Sequence, residues 1–495
     1  MFKFPRFGKP AHSSATASKA ALVHAVVTRW QERPRLRHRS KVLLCRSIIP
    51  FTWPIVIELT CVVLMSIIST VLVSHIGAAE TAAVGISDSV TYLIISLLTA
   101  TELGGSVLIA QAFGRRKREK ALDIAIQAMN LNVVISITTC VFIFLFISPI
   151  LNIIAMGADH HVIELSALYL KTIAFSYPAL AIVLAGSGVL RAVGNSRSPA
   201  MSNILMNILN ILFSYPLIYG IPYWGWEGLG LFGAGIGVTA ARWVGAMMIL
   251  AVLAHNSILR VKLSDYRQSF QHATLWEILG IGIPASVESL MFNVGKLITQ
   301  IMVAGMGTVV MAGNVITFSI LLFVNIPGNA LAMAGTVLIG KRLGQDKTRL
   351  AKLEMRLILW TATCLLVTLA IISIPFARQI AQIYTSDPRV IDVVANLIYL
   401  NAIMMPVWAA SFVLPSTFKG AKDVRYSMWT AIASMWGCRI VFGYVLGIHF
   451  NMNVYGIWLG MFADWWLRAA LYAYRMITDK WLTIYQKNKL LEESR

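Results

Sequence analysis

Apolar runs long enough to cross a bilayer recur along the whole chain, separated by short polar blocks. They fall near 48–74, 80–111, 121–148, 163–190, 199–220, 231–254, 275–303, 309–340, 352–375, 390–418, 426–448 and 455–478. A membrane helix needs roughly 20 apolar residues at 1.5 Å per residue. The pattern therefore predicts twelve spans, six before the polar segment 255–274 and six after it. A β-barrel would show short alternating segments instead. The expected fold is an all-α polytopic membrane protein with two six-helix, pseudo-symmetric lobes. Its boundaries are a basic tail 1–47, a first lobe 48–254, a linker 255–274, a second lobe 275–478 and a tail 479–495.

The polar blocks set an orientation. The segments carrying Arg115–Lys120, Arg191–Arg197, Arg260–Arg267, Lys341–Lys352 and Lys419–Arg425, and the end after Met476, are rich in Lys and Arg. The opposite loops hold none, except 376–389 with Arg378 and Arg389. Positive loops stay inside, so both termini are expected in the cytoplasm and the chain in the cell inner membrane. Prolines inside spans, Pro50, Pro54, Pro178, Pro216, Pro284, Pro327, Pro406 and Pro415, are expected to bend or loosen helices. Gly186, Gly188 and the run Gly233–Gly237 allow close backbone approach.

The two halves echo each other at a fixed offset of 230 residues. Pro54 answers Pro284, Glu58 answers Glu288 and Gly77 answers Gly307. Gly105-Ser-Val-Leu-Ile answers Gly335-Thr-Val-Leu-Ile, and Tyr169-Leu170 answers Tyr399-Leu400. A constant register over more than a hundred residues marks a duplicated unit. Six spans per unit is even, so both halves insert the same way up, related by an axis along the membrane normal.

Composition agrees: of 495 residues, 57% are hydrophobic and 13% charged, and mean hydropathy is +0.71. The net charge of +20 lies in blocks between apolar runs without interleaved aromatics, which argues against nucleic acid. Cys45, Cys61, Cys140, Cys364 and Cys438 are scattered, with neither metal-ligand nor disulfide spacing. The basic tail either lies on anionic lipid or is disordered. No cofactor is expected. No HExxH pair, no exposed nucleophile elbow and no Walker loop occurs, so neither an enzyme nor an ATP-driven pump is expected. The energy is then expected from an ion gradient.

Charges inside spans are the candidates for chemistry, because they are costly there and face a wet cavity or a partner. Glu288 and Lys296 are eight apart, about 12 Å along a helix and roughly 80° around it. They are too far apart to pair and suit one cavity at two depths. Glu58 and Glu288 are the expected ion-coupling acids, one per lobe; the alternative is a structural hydrogen-bonding role. Lys296 and Arg439 would receive an anionic group, or else pair with acids on neighbouring helices. Glu102 is expected to line the cavity, and Phe292 and Trp408 to offer ring faces to a planar molecule. Asp464 and Arg468, at i and i+4, read as an intrahelical pair. Arg242 is a third cation within a span.

Several stretches carry a resemblance. Leu108-Ile-Ala-Gln-Ala-Phe-Gly114, Leu190-Arg-Ala-Val-Gly194-Asn195 with Pro199, and Gly344-Gln-Asp346 are similar to helix-end patterns of the multidrug and toxic compound extrusion (MATE) transporters. GIPASVESLMFNVGKLITQIMVAGMGT, FKGAKDVRYSMW and SMWGCRIVFGYVLGI resemble an enterobacterial member described as exporting FMN and FAD. The resemblance covers about 50–475. It implies a twelve-helix, two-lobe antiporter, with a small molecule as cargo, H+ or Na+ as coupling ion, lipid around it, and a monomer. It also exposes departures. Ser69 stands where many members have an aspartate, Asn210 is followed by Ser214 rather than an acid, and Trp408 is nearest to another branch's acid. Flavin nucleotides are the narrower expectation. An exporter of organic cations, and a lipid-linked oligosaccharide flippase, are the alternatives.

Overall fold

The computed structural model describes residues 40–154, 159–221, 226–256, 258–267 and 269–493. Positions 1–39 of the expected basic tail lie outside them. Residues up to Pro50 form a unit of their own, in which a π-helical turn, Leu44–Ile48, is described.

The first lobe holds α1 (Ile49–Ser74), α2 (Ala78–Gly114), α3 (Arg118–Ile154), α4 (His160–Ala174), α5 (Tyr177–Ala192), α6 (Arg197–Tyr219) and α7 (Gly230–His255). The second holds α8 (His272–Ala304), α9 (Thr308–Gly344), α10 (Thr348–Ser373), the short α11 (Ala377–Tyr384), α12 (Pro388–Gly420), α13 (Val424–His449), α14 (Asn453–Ile477) and α15 (Lys480–Glu493). Among the described residues ten helices are long and apolar enough to cross a membrane, and α4 with α5 makes an eleventh crossing bent by 50°. The 25-residue α14 completes the twelve; its Asp464, Arg468 and Arg475 are buried.

Four expectations change in detail. The span 163–190 is two helices, because Pro178 near the start of α5 cannot donate back into α4. Pro54, Pro216, Pro284, Pro327, Pro406 and Pro415 stay inside continuous helices. A break in helical backbone angles falls within α3 at Phe146 (φ −116°, ψ 21°), three residues before Pro149. A two-residue antiparallel pair, Gly220–Ile221 with Trp226–Glu227, interrupts the all-helical pattern. The segment expected as a C-terminal tail is the docked helix α15. Its Trp481 and Tyr485 are buried with Leu343, Phe418 and Tyr472, and Tyr485 Oη donates to Leu343 O at 2.9 Å.

The exceptional loop 376–389 is accounted for by pairing. Arg378 meets Asp392 at 2.7 Å and Arg389 meets Asp387 at 3.1 Å. Asp387 also caps α12, accepting from Arg389 N at 2.9 Å with Pro388 in the first turn. These hydrogen bonds from Arg389 hold the Asp387 carboxyl below the usual carboxylate range.

The lobes meet where α2 packs on α8 and α9. Glycine makes that contact close. A Cβ on Gly114 would strike Lys341 O, and one on Gly344 would strike Gln111 O. These are repeat-related contacts, since Gly114 answers Gly344 and Gln111 answers Lys341. Farther along α2, Gly104 lies against Ile278 O, and Ser96 Oγ donates to Ser289 Oγ at 2.9 Å. By contrast α1 is buried only near its start, through Glu58, and at Val73.

Two outcomes follow for stability in detergent. Gly344→Ala overpacks the lobe contact and costs about 1–3 kcal/mol, whereas Gly85→Ala, where a Cβ meets nothing within 4 Å, is neutral or stabilising by up to ~1 kcal/mol. Trp481→Ala costs about 3–5 kcal/mol, although it changes only the supposed tail. Thermal unfolding of the purified variants checks both.

Candidate functional site

The second lobe encloses a cavity of about 600 Å3. Glu288, Phe292 and Lys296 stand one turn apart along α8 and all line it. Phe318, Asn325 and Asn329 come from α9, Trp408, Phe412 and Lys419 from α12, Arg439 from α13, and Trp465 and Arg468 from α14. The expected residues Glu288, Lys296, Phe292, Arg439 and Trp408 are thus brought together. Glu58 and Glu102 are not part of this chamber.

Each charge in the chamber has a defined setting. Lys419 Nζ lies 3.1 Å from Glu288. Arg468 Nε donates to Asp464 Oδ1 at 2.6 Å and to Ser434 Oγ at 2.8 Å, and its Nη2 to Ala431 O at 3.2 Å. The i,i+4 pair is therefore formed, and it is buried. Arg439 sits on a π-helical stretch, Met435–Ile440, that re-aims side chains within α13. Its Nη1 is 3.9 Å from Asp464 Oδ2, and its Nε and Nη1 are buried with no hydrogen-bond partner. Lys296 Nζ lies 5.4 Å over the Phe318 ring.

The rings are ordered as well. Trp408 stacks on Phe412 with centroids 4.8 Å apart and planes at 23°. Gly328 makes room for it, because a Cβ there would touch the indole. Phe292 is flanked by the guanidiniums of Arg439 at 5.6 Å and Arg468 at 5.7 Å.

A second cavity, about 300 Å3, lies between the lobes. Glu102 lines this one rather than the chamber, together with Arg191, Ser289, Thr336, Ser416 and Lys419. Arg191 Nη1 donates to Glu58 Oε1 at 2.6 Å and Nη2 to Glu102 Oε1 at 2.5 Å. Gly188 leaves space for the Glu102 stem. Elsewhere in this lobe Asn210 Nδ2 donates to Ser69 Oγ at 3.1 Å and Ser214 Oγ to Asn210 Oδ1 at 3.0 Å, a neutral set. Arg242 is engaged with Ser176 Oγ at 2.8 Å.

Two of the cations were misplaced by the loop pattern. Arg191 and Lys419 open basic blocks in the sequence, yet both belong to helices, and each pairs with the acid expected to act in its lobe. The repeat held the signal: they stand 228 residues apart, two short of the register that relates Glu58 to Glu288.

A family model described as MatE matches residues 54–216 and again 284–445, with its two starts separated by the same repeat offset. The uncharacterized transporter YisQ of Bacillus subtilis is 26% identical over 437 residues, covering 88% of this chain and 95% of its own length. The multidrug resistance protein PmpM of Pseudomonas aeruginosa is 27% identical over 420 residues, covering 83% and 85%. Among solved structures, a MOP superfamily transporter from Pyrococcus furiosus, described by a binding pocket of reverse polarity that suggests a different function, superposes with a TM-score of 0.80. It is 21% identical, covering 88% of this chain and 96% of that one. With both halves matched by one model, this chain belongs to the MatE family and is a transporter, not an enzyme.

Proposed function

We propose that this protein is an ion-gradient-driven antiporter that exports small organic molecules through the second-lobe chamber, with flavin nucleotides as cargo. It sits as a monomer in the inner membrane with its basic side toward the cytoplasm. The observation that carries this reading is the charge of the chamber. Lys296, Lys419, Arg439 and Arg468 line it, against Glu288 and the Asp464 behind Arg468. Two positive charges remain in a place where little water screens them. A phosphate ester supplies the missing negative charge, and the partnerless Nε and Nη1 of Arg439 suit its oxygens.

The remaining features support the same cargo. The Trp408–Phe412 pair presents a flat apolar face to an isoalloxazine. The volume of about 600 Å3 lies in the usual range for small-molecule sites. The relatives described as multidrug resistance proteins favour a second reading, an exporter of organic cations. Such cargo would add positive charge to a chamber already in excess of it.

Reconstituted protein separates the readings under proton and sodium gradients applied in turn. Expected is efflux of flavin mononucleotide in preference to cationic dyes, driven by the inward proton gradient. Lys296→Ala and Arg439→Gln each weaken flavin mononucleotide efflux by about tenfold to a hundredfold, the worth of one charge-assisted contact, and affect riboflavin much less. Equal losses for both molecules, or a preference for dyes, would reject the anionic cargo.

A further inference from the structure

The first lobe contains an excess of buried negative charge that the second lobe lacks. One guanidinium, Arg191, holds two carboxylates, Glu58 and Glu102. The three side chains retain 4%, 9% and 12% of their exposure. Arg191 serves one oxygen of each acid. Asn203 Nδ2 adds a longer bond of 3.4 Å to the same Glu58 oxygen, and Glu58 Oε2 is buried with no hydrogen-bond partner. In the second lobe Glu288 faces Lys419 one to one.

The groups around the cluster do not restore the balance. α1 contributes Glu58 and Cys61, α2 Glu102, α5 Arg191, and α6 only the amide of Asn203. From the second lobe, α8 and α9 border the shared cavity with Ala285, Ser289, Met333, Thr336 and Val337, none of them charged. α12 borders it with Ser416 and Lys419, the latter already taken by Glu288. Lys341 reaches the end of α5, where a Cβ on Gly194 would lie 3.7 Å from its Nζ, but it makes no ion pair with either acid. Three acids, Glu58, Glu102 and Glu288, thus stand against two cations, Arg191 and Lys419. An unmatched negative charge in a poorly hydrated site is removed most cheaply by one proton shared between the two acids.

Access completes the picture. Glu102 borders the inter-lobe cavity while Glu58 lies behind it. Both lobes build the walls of that cavity, so their relative position decides which side's water reaches Glu102. The set Ser69, Asn210 and Ser214 carries no charge and offers no titratable group.

We propose that Glu58, Arg191 and Glu102 form a single proton-exchange seat, entered through Glu102, and that Glu288 takes no part in proton exchange. This rests on the antiporter reading above. It moves Glu102 from cargo to proton, and it gives the two lobes different tasks.

Glu102→Gln and Glu58→Gln leave a one-to-one ion pair, so both variants retain a balanced core. In proteoliposomes two assays are run side by side: efflux driven by an inward proton gradient, and exchange of labelled for unlabelled flavin mononucleotide with no gradient. Expected is loss of the gradient-driven component in both variants with exchange retained, whereas Glu288→Gln, which alters the cargo chamber, changes the amount of cargo moved while the remaining transport still follows the proton gradient. Infrared difference spectra of the purified protein across a pH titration supply a readout without cargo. The other carboxyls titrate as well, so each variant's spectrum is subtracted from the wild type's, and a protonated carboxyl band is expected in both differences. Its absence from those differences, or first-lobe variants that keep gradient-driven efflux, would overturn the proton seat. If flavins do not move at all, the cargo reading fails, and the infrared band still decides the seat.

Discussion

Bringing a charge into a membrane protein costs several kcal/mol unless a partner or water meets it, and the interior of this protein is arranged around that cost. In the first lobe Arg191 answers Glu58 and Glu102. In the second, Lys419 answers Glu288, and Asp464 answers Arg468 at full burial. Arg439 and Lys296 have no such answer within hydrogen-bond range and face the chamber instead. The first lobe is therefore left with one negative charge and the second with two positive ones. Duplication supplied the same scaffold twice, and divergence of a few charged positions gave the two copies opposite electrostatic character.

The contact between the lobes has the opposite character, because it depends on the absence of side chains. Gly114 and Gly344 occupy equivalent positions in the two repeats, and each lies on a carbonyl of the other lobe. Such a self-complementary crossing lets the helices approach at backbone distance on the basic side. Toward the other side, Ser96 of α2 and Ser289 of α8 are joined by a hydrogen bond at the border of the inter-lobe cavity. The inter-lobe cavity shares α8, α9 and α12 with the chamber and α2 and α9 with the crossing, so α9 belongs to all three.

Much of this was legible in the sequence. Twelve hydrophobic runs predicted the crossings, and the constant offset between Glu58 and Glu288 predicted the duplication. The i,i+4 spacing predicted the Asp464–Arg468 pair, and the eight-residue spacing of Glu288 and Lys296 predicted one shared cavity. What failed did so for physical reasons. Arg191 and Lys419 sit at helix ends, where hydropathy cannot separate a solvated cation from one folded back onto a buried acid. Glu102 was read from its own helix alone, whereas its placement depends on Arg191 of another. The partnerless geometry of Arg439 depends on a π-helical stretch, which leaves no mark in periodicity. The tail after Met476 was judged by its charge, while the burial of Trp481 and Tyr485 depends on a groove built by distant helices.

That last helix has a consequence for biosynthesis. Trp481 and Tyr485 fill the end of the second lobe against Leu343 and Phe418, residues made well before them. The groove they occupy stays open through most of translation and closes only when the final turns leave the ribosome. A nascent chain stalled or clipped near position 479 would hold all its membrane crossings and still present an unfinished apolar surface to quality-control proteases.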